Sequence, residues 1–377
     1  MTNIIRINLP HGLNIDEFKK CIPFISLDIQ SYIILGDSLE LKLNEDSDVI
    51  LVQRNIENAI KKFVSGPEVN YTLYKTEDET KRDYCDEVID NKNIVALSDG
   101  SISLHEKAAI LYDFFDQNFK DMALQIGAKI EHYPTMLPIE EYRKTGYLKT
   151  SPQYSIFCCN AIEDFSRLEK MYVSKPCELK YLISEPRDSL SPAACFHTYF
   201  SHKNETFEES TIYTFNQAVF RNEGRFNWQD FGRLKDYHVR EVVFLGNENF
   251  VKEKRKKLLD IVVGFLKKVG LSFCVTTASD PFVMPKMQKF KKIQLQEGSK
   301  YELLLKYSSK KSIAVASFNI HGTAFTQPFN IKIKNIETPV TGCVGFGIER
   351  CVLAFIAQYG WDDNQWPLII KQYINKE

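Results

Sequence analysis

The run from Gly342 to Tyr359, GCVGFGIERCVLAFIAQY, constrains this chain more than any other stretch. Cys343 to Gly347 reads as a glycine-spaced strand that passes into the pair Glu349 and Arg350. An apolar helix follows, with Val352, Leu353, Phe355 and Ile356 on its inner side. Glycines at 345 and 347 remove side chains where a flat ligand could lie on the backbone. Arg350 starts the helix, where a guanidinium and free N–H groups can both face a phosphate. Alone, this G-x-G-x-E-R pattern is weak, and a tight strand–helix junction is the plainer reading.

Bulk properties narrow the field. A chain of 377 residues suggests two domains, and 44% hydrophobic content allows a large core without covalent staples. The 48 basic and 49 acidic residues leave a net charge of −1, which argues against broad, non-specific nucleic-acid binding. The 9 cysteines follow no pairing pattern, as expected in a reducing compartment. The first residues, MTNIIRINLPHG, lack a signal-peptide core, and no apolar run reaches membrane length. The expectation is a soluble, cytoplasmic protein that does not engage membranes.

Residues 4–9, 30–35 and 39–44 read as strands, with a turn at Gly36-Asp37, and residues 14–24 and 47–65 as helices. Residues 1–100 are therefore expected to hold a small α+β module, ending in a polar linker over 67–103, and residues 101–377 a second domain. From His105 to Gly127, apolar residues recur at three- and four-residue steps, predicting a long amphipathic helix; a strand to Tyr133 follows. Residues 179–183 read as a strand. TIYTFNQAVFRNEG (211–224) and DYHVREVVFLG (236–246) read as an antiparallel pair joined by a long loop. Arg221 and Glu223 share one face there and could meet a phosphate and a base amino group; a cross-strand ion pair is the plainer alternative. A lysine-rich helix over 251–268 and strands at 271–276, 301–307, 313–320 and 328–334 complete an antiparallel sheet flanked by helices. The fold class is α+β.

Together these stretches resemble the catalytic domain of class II aminoacyl-tRNA synthetases. The long helix with its strand looks like the first motif, FRNE (220–223) with its return strand like the second, and GFGIER (345–350) like the third. PAACFHTY, HVREVVF and TGCVGFGIER are similar to the segments that bear a Cys-Glu-Cys zinc set in atypical seryl-tRNA synthetases and in their relatives, the amino acid:[carrier protein] ligases. YPTMLPIEEYRKTGYLKTSPQ, SDPF, KYEL, SFNIHGTAF and LAFIAQYGWDDNQWP are similar to the latter. The resemblance covers residues 105–377.

It implies zinc held by Cys195, Glu241 and Cys343, with a fourth position for the amino group of an amino acid. It implies ATP held by Arg221 at the α-phosphate, Glu223 at the adenine amino group and Arg350 at the γ-phosphate. Magnesium would bridge phosphates with Glu302 as a ligand, and Asn319 and His321 would contact the amino acid or the acceptor. The reaction implied is formation of an aminoacyl-adenylate of a small amino acid, then its transfer. The expected acceptor is the phosphopantetheine thiol of a carrier protein, docking on 285–300 through Lys289 and Lys292 or on the helix 251–268. The near-neutral charge favours this acceptor over tRNA; tRNA aminoacylation of the seryl type and a catalytically silent, partner-binding paralogue are the alternatives. The first motif implies a homodimer. Two departures stand out: PFVMPKMQKFKK replaces a glycine-rich run after the DPF phrase, and SFNIHGTAF lacks an acidic residue before its second phenylalanine.

Overall fold

The computed structural model describes residues 3–63, 70–76, 83–280, 284 and 287–374, except for the side chains of residues 288, 289 and 292. The N-terminal module follows its sequence pattern. Strands β1 (Asn3–Asn8), β2 (Ile29–Leu35) and β3 (Ser38–Leu43) pair antiparallel with β3 central. In β3 the alternation SLELKL sends Leu39, Leu41 and Leu43 inward. They meet Phe18 of α1 (Ile15–Cys21), which is capped by the Asn14 side chain, and Val52 and Ile56 of α2 (Val49–Phe63).

The stretch expected as a linker is partly built into the larger body. β4 (Thr72–Lys75) pairs with the edge of the main sheet, and β5 (Ile94–Ser98) and β6 (Ser101–Leu104) form a hairpin. The long helix α3 (Glu106–Gln125) buries Leu111, Phe114, Phe115, Phe119 and Met122, and β7 (Lys129–Ile130) follows it. A small sheet of β8 (Met136–Pro138), β9 (Ile156–Cys158) and β10 (Asp188–Leu190) has three short helices in the connections between its strands. These are α4 (Ile139–Lys144), α5 (Tyr147–Thr150) and α6 (Phe165–Val173). The strand expected at 179–183 is instead the end of a 3-10 helix over Pro176–Tyr181. Pro176 presets the helical φ, and the Glu178 carboxylate accepts from the Lys175 N–H at 2.8 Å.

After α7 (Phe196–Ser201) and β11 (Thr206–Phe207) come the long strands β12 (Thr211–Phe220) and β13 (Asp236–Gly246). α8 (Glu248–Val269), β14 (Phe273–Thr277), α9 (Gln288–Glu297), β15 (Lys300–Lys306) and β16 (Ser312–Gly322) follow. The strand expected at 328–334 shrinks to β17 (Lys332–Ile333), which pairs with β11. β18 (Val340–Gly347), α10 (Ile348–Tyr359) and α11 (Leu368–Ile374) end the described chain. The main sheet runs β4-β14-β15-β16-β18-β13-β12-β7, antiparallel except for the β7–β12 edge.

Helices α3, α8 and α10 cover one face of this sheet. Val242, Phe244, Phe318, Val344 and Phe346 point to them, and the Phe119 and Phe346 rings stack at 4.2 Å. Alternation then forces Glu241, Asn319, Cys343 and Gly345 onto the opposite face. Among the described residues, no helix is long and apolar enough to cross a membrane.

Candidate active site

One register row crosses the sheet through Glu302, Ser317, Gly345, Glu241 and Phe215. It gathers residues remote in sequence on the face away from the helices. Beside it Cys343 of β18 stands opposite Asn319 of β16. Cys195, at the N-cap of α7, reaches the same place. A sulfur from each cysteine and a carboxylate oxygen of Glu241 all lie within 4.8 Å of one another, and all three residues are buried. Two sulfurs and one carboxylate make a donor set that fits a thiophilic divalent ion such as zinc. Burial pushes Glu241 up to about 7, and the neighbouring Cys195 thiol together with burial pushes the Cys343 thiol up. Such suppressed ionisation of Glu241 and Cys343 is what a cation would relieve.

Gly345 has a sharper role than leaving room for a flat ligand. A methyl group there would lie 2.6 Å from Glu241 Oε2, so the glycine makes space for the carboxylate. Asn319 and His321, expected to touch substrate, also turn toward the cluster. Asn319 Nδ2 donates to Ser317 Oγ at 3.1 Å and lies 3.6 Å from Cys343 Sγ. His321 Nε2 is 3.6 Å from the same sulfur, and its Nδ1 is 3.2 Å from Thr341 Oγ1. Burial lowers His321 to about 4, which keeps the ring neutral.

The second group of residues lies further along the same face. Arg221, just past β12, donates from Nε to the Pro192 carbonyl at 2.9 Å. Arg350, in the first turn of α10, donates to the carbonyls of Gly232 (3.0 Å) and Ala314 (3.1 Å). Both guanidiniums flank the buried ring of Tyr237, at 5.9 and 5.4 Å from its centre. Tyr237 is four residues from Glu241 on β13, a separation of about 13 Å along the strand. Glu223 is buried and accepts from Arg233 NH1 at 3.0 Å. It is thus an ion pair within the loop rather than one across the two strands. Glu349 accepts from both the backbone N–H and Nδ1 of His238, tying α10 to β13.

Glu302 lies on this face, but its carboxylate sits 3.1 Å from Lys300 Nζ, which also binds Asp280 at 3.0 Å. Lys289 and Lys292, the expected docking residues, have side chains outside the described residues. Tyr237 and Arg233 escaped the sequence reading. The signal for both was available: Tyr237 shares strand parity with Glu241, and Arg233 closes the loop that begins at Glu223.

Residues 188–359 match the family described as tRNA synthetase class II core domain (G, H, P, S and T). The type-2 serine–tRNA ligase of Methanocaldococcus jannaschii is 30% identical over 278 residues, 68% of this chain and 52% of that protein. Its counterpart from Methanococcus maripaludis is 29% identical over 261 residues, 65% of this chain and 50% of that protein. The chain spans about half the length of the curated relatives it matches. Among solved structures, M. kandleri SerRS in complex with A. aeolicus tRNASec aligns with a TM-score of 0.72 at 19% identity, over 99% of this chain and 77% of that one. The cytoplasmic serine-tRNA ligase of Naegleria fowleri in complex with AMP aligns at 0.63 and 11% identity, over 88% and 79%.

These findings overturn the expectation of a carrier-protein thiol as acceptor and favour the alternative, tRNA aminoacylation of the seryl type, over it. The relatives are named tRNA ligases, and one structural neighbour holds a tRNA. The misleading signals were the phrases similar to the carrier-protein ligases and the net charge, a sum over the whole chain that is blind to local patches.

Proposed function

Because this chain has a class II aminoacyl-tRNA synthetase-like core homologous to that of type-2 seryl-tRNA ligases, we propose that it activates serine with ATP and transfers it to tRNA. The observation that carries the chemistry is the sheet face that holds the Cys195–Glu241–Cys343 cluster about 13 Å along a strand from the Arg221–Tyr237–Arg350 trio. That distance suits an amino acid bound at one end and a nucleotide at the other.

In this reading Tyr237 is the floor for the nucleotide, and the two guanidiniums, fixed by backbone carbonyls, meet its phosphates. A serine carboxylate oxygen attacks the α-phosphorus, and the bond to the bridging oxygen of the leaving pyrophosphate breaks. Arg221 offsets charge on the α-phosphate as this happens, and Arg350 holds the pyrophosphate end. Preset geometry supplies most of the rate, and no general base from the protein is required. Glu223, held by Arg233, faces the adenine amino group. In the second step a terminal ribose hydroxyl of tRNA attacks the acyl carbon and AMP leaves, the hydroxyl proton passing to the departing phosphate. Zinc bound by Cys195, Glu241 and Cys343 would supply a Lewis-acid position for the amino group of serine. Asn319 and His321 orient the Cys343 sulfur. A homodimer is part of the same reading, through the sheet edge at β7, where Ile130 is exposed.

Amino-acid-dependent ATP–pyrophosphate exchange tests this directly. Serine is expected to support exchange, and transcribed tRNASer to accept radiolabelled serine from the enzyme. Exchange with a different amino acid would correct the substrate, and no exchange with any amino acid would sink adenylation.

A further inference from the structure

We propose that the N-terminal module is a brace for the nucleotide loop, with Arg225 and Asn227 as its positioning residues. This deepens the adenylation reading and rests on it.

Four consecutive loop residues, directly after Arg221 and Glu223, contact the module. Gly224 has φ +90°, and a methyl group on it would lie 2.7 Å from Phe24 Cζ and 3.0 Å from Pro23 Cβ. The Arg225 guanidinium donates to three module carbonyls, those of Pro23 (2.9 Å), Ser26 (2.8 Å) and Ile29 (2.8 Å). Phe226 meets the Tyr32 ring edge-on at 5.7 Å. The buried Asn227 amide donates both to the Glu223 carbonyl (2.6 Å) and to the Lys20 carbonyl (3.3 Å). One side-chain nitrogen therefore joins the backbone of a site residue to the module.

The contact is concentrated on the loop. Among the described residues, Phe226 is the one hydrophobic side chain from outside 3–63 that packs against the module's apolar core. A second latch lies nearby: buried Lys291 of α9 donates to Glu17 at 2.7 Å. From the opposite side the β5–β6 hairpin holds the loop's return, with the Lys235 N–H donating to the Gly100 carbonyl at 2.7 Å. A loop of this length would sample many conformers unaided, and nucleotide binding would then have to order it. Clamping between hairpin and module removes that cost before ATP arrives. A fork of donors aimed at three carbonyls is a task for arginine and not for lysine.

The experiment uses the full chain. Arg225→Ala and Asn227→Ala are expected to raise KM for ATP in pyrophosphate exchange about tenfold, leaving KM for serine within about twofold. Arg225→Lys is expected to recover only part of the loss. Hydrogen exchange over 221–236 should quicken in these variants while β13 stays protected. Should Asn227→Ala not fold, Arg225→Ala, at an exposed position, supplies the measurement. An unchanged KM for ATP, or an equal rise for both substrates, would overturn the brace. Absence of exchange in the unaltered protein would sink adenylation instead, and hydrogen exchange would still decide whether the module orders the loop.

Discussion

The two faces of the eight-stranded sheet are built from alternate residues of the same strands, yet they respond to different physics. In β18, Val344 and Phe346 face the helices in a close-packed aromatic layer, while Cys343 and Gly345 face the candidate site. The first face holds the fold together through area and shape. The second places polar and sulfur atoms where they are costly unless satisfied. One strand thus carries stability and chemistry as interleaved sets, and substitutions at neighbouring positions should separate them.

The largest separation is expected from Cys343→Ala. Zinc per chain should fall to near zero, and exchange activity by at least about 100-fold, with the thermal transition lowered less than by Phe346→Ala. Metal analysis and a melting curve on one sample check this, and retained zinc would break the contrast. Phe346→Ala should do the reverse, lowering stability by about 3–5 kcal/mol while zinc content persists in the folded fraction. Denaturant titration reads that outcome. Gly345→Ala tests the space reserved for Glu241. Zinc affinity should weaken about tenfold, measured by competition with a chelator, and stability should change less than for Phe346→Ala.

The smallest effect concerns the module. Burial alone would raise Glu17, but Lys20 and Lys291 outweigh it and bring the carboxyl from 4.5 down to about 2. A depressed carboxylate contributes stability above its unfolded pKa and loses it as pH falls toward the folded value. Attachment of the module should therefore be intact above about pH 5 and weaken between pH 4.5 and 2. Hydrogen exchange of residues 3–63 measures this, and Glu17→Gln should flatten the dependence.

Much of the fold could be read from periodicity. Leu39, Leu41 and Leu43 announce an amphipathic strand, and Leu111 to Met122 a helix with one apolar side. The order of strands in the sheet could not, because β18 lies between β16 and β13 through pairings that no local pattern encodes. Cys195, Glu241 and Cys343 were reachable only through resemblance, since their proximity is made by register across β13 and β18 and by the turn into α7. Asn319 and His321 lie on the expected face, and their approach to the Cys343 sulfur could not be read from parity, which fixes a face and not a partner. The polar stretch 67–103 read as a linker because short strands such as Thr72–Lys75 gain their stability from the sheet edge they join. Contacts from Arg225 and Asn227 to residues 20–29 left no trace in the sequence, since their acceptors are backbone carbonyls and any residue supplies one.

The indole of Trp228 makes the loop observable. It follows Asn227 directly, packs against Gly100 of the hairpin and has Lys235 Nζ 5.5 Å from its ring. The other tryptophans are tied elsewhere, Trp361 to the Glu87 carbonyl and Trp366 against Phe355. The molecule therefore carries an intrinsic fluorophore on the loop to which we assign the nucleotide. With Trp361 and Trp366 replaced by phenylalanine, emission from the remaining indole would report loop ordering in real time, with no label attached.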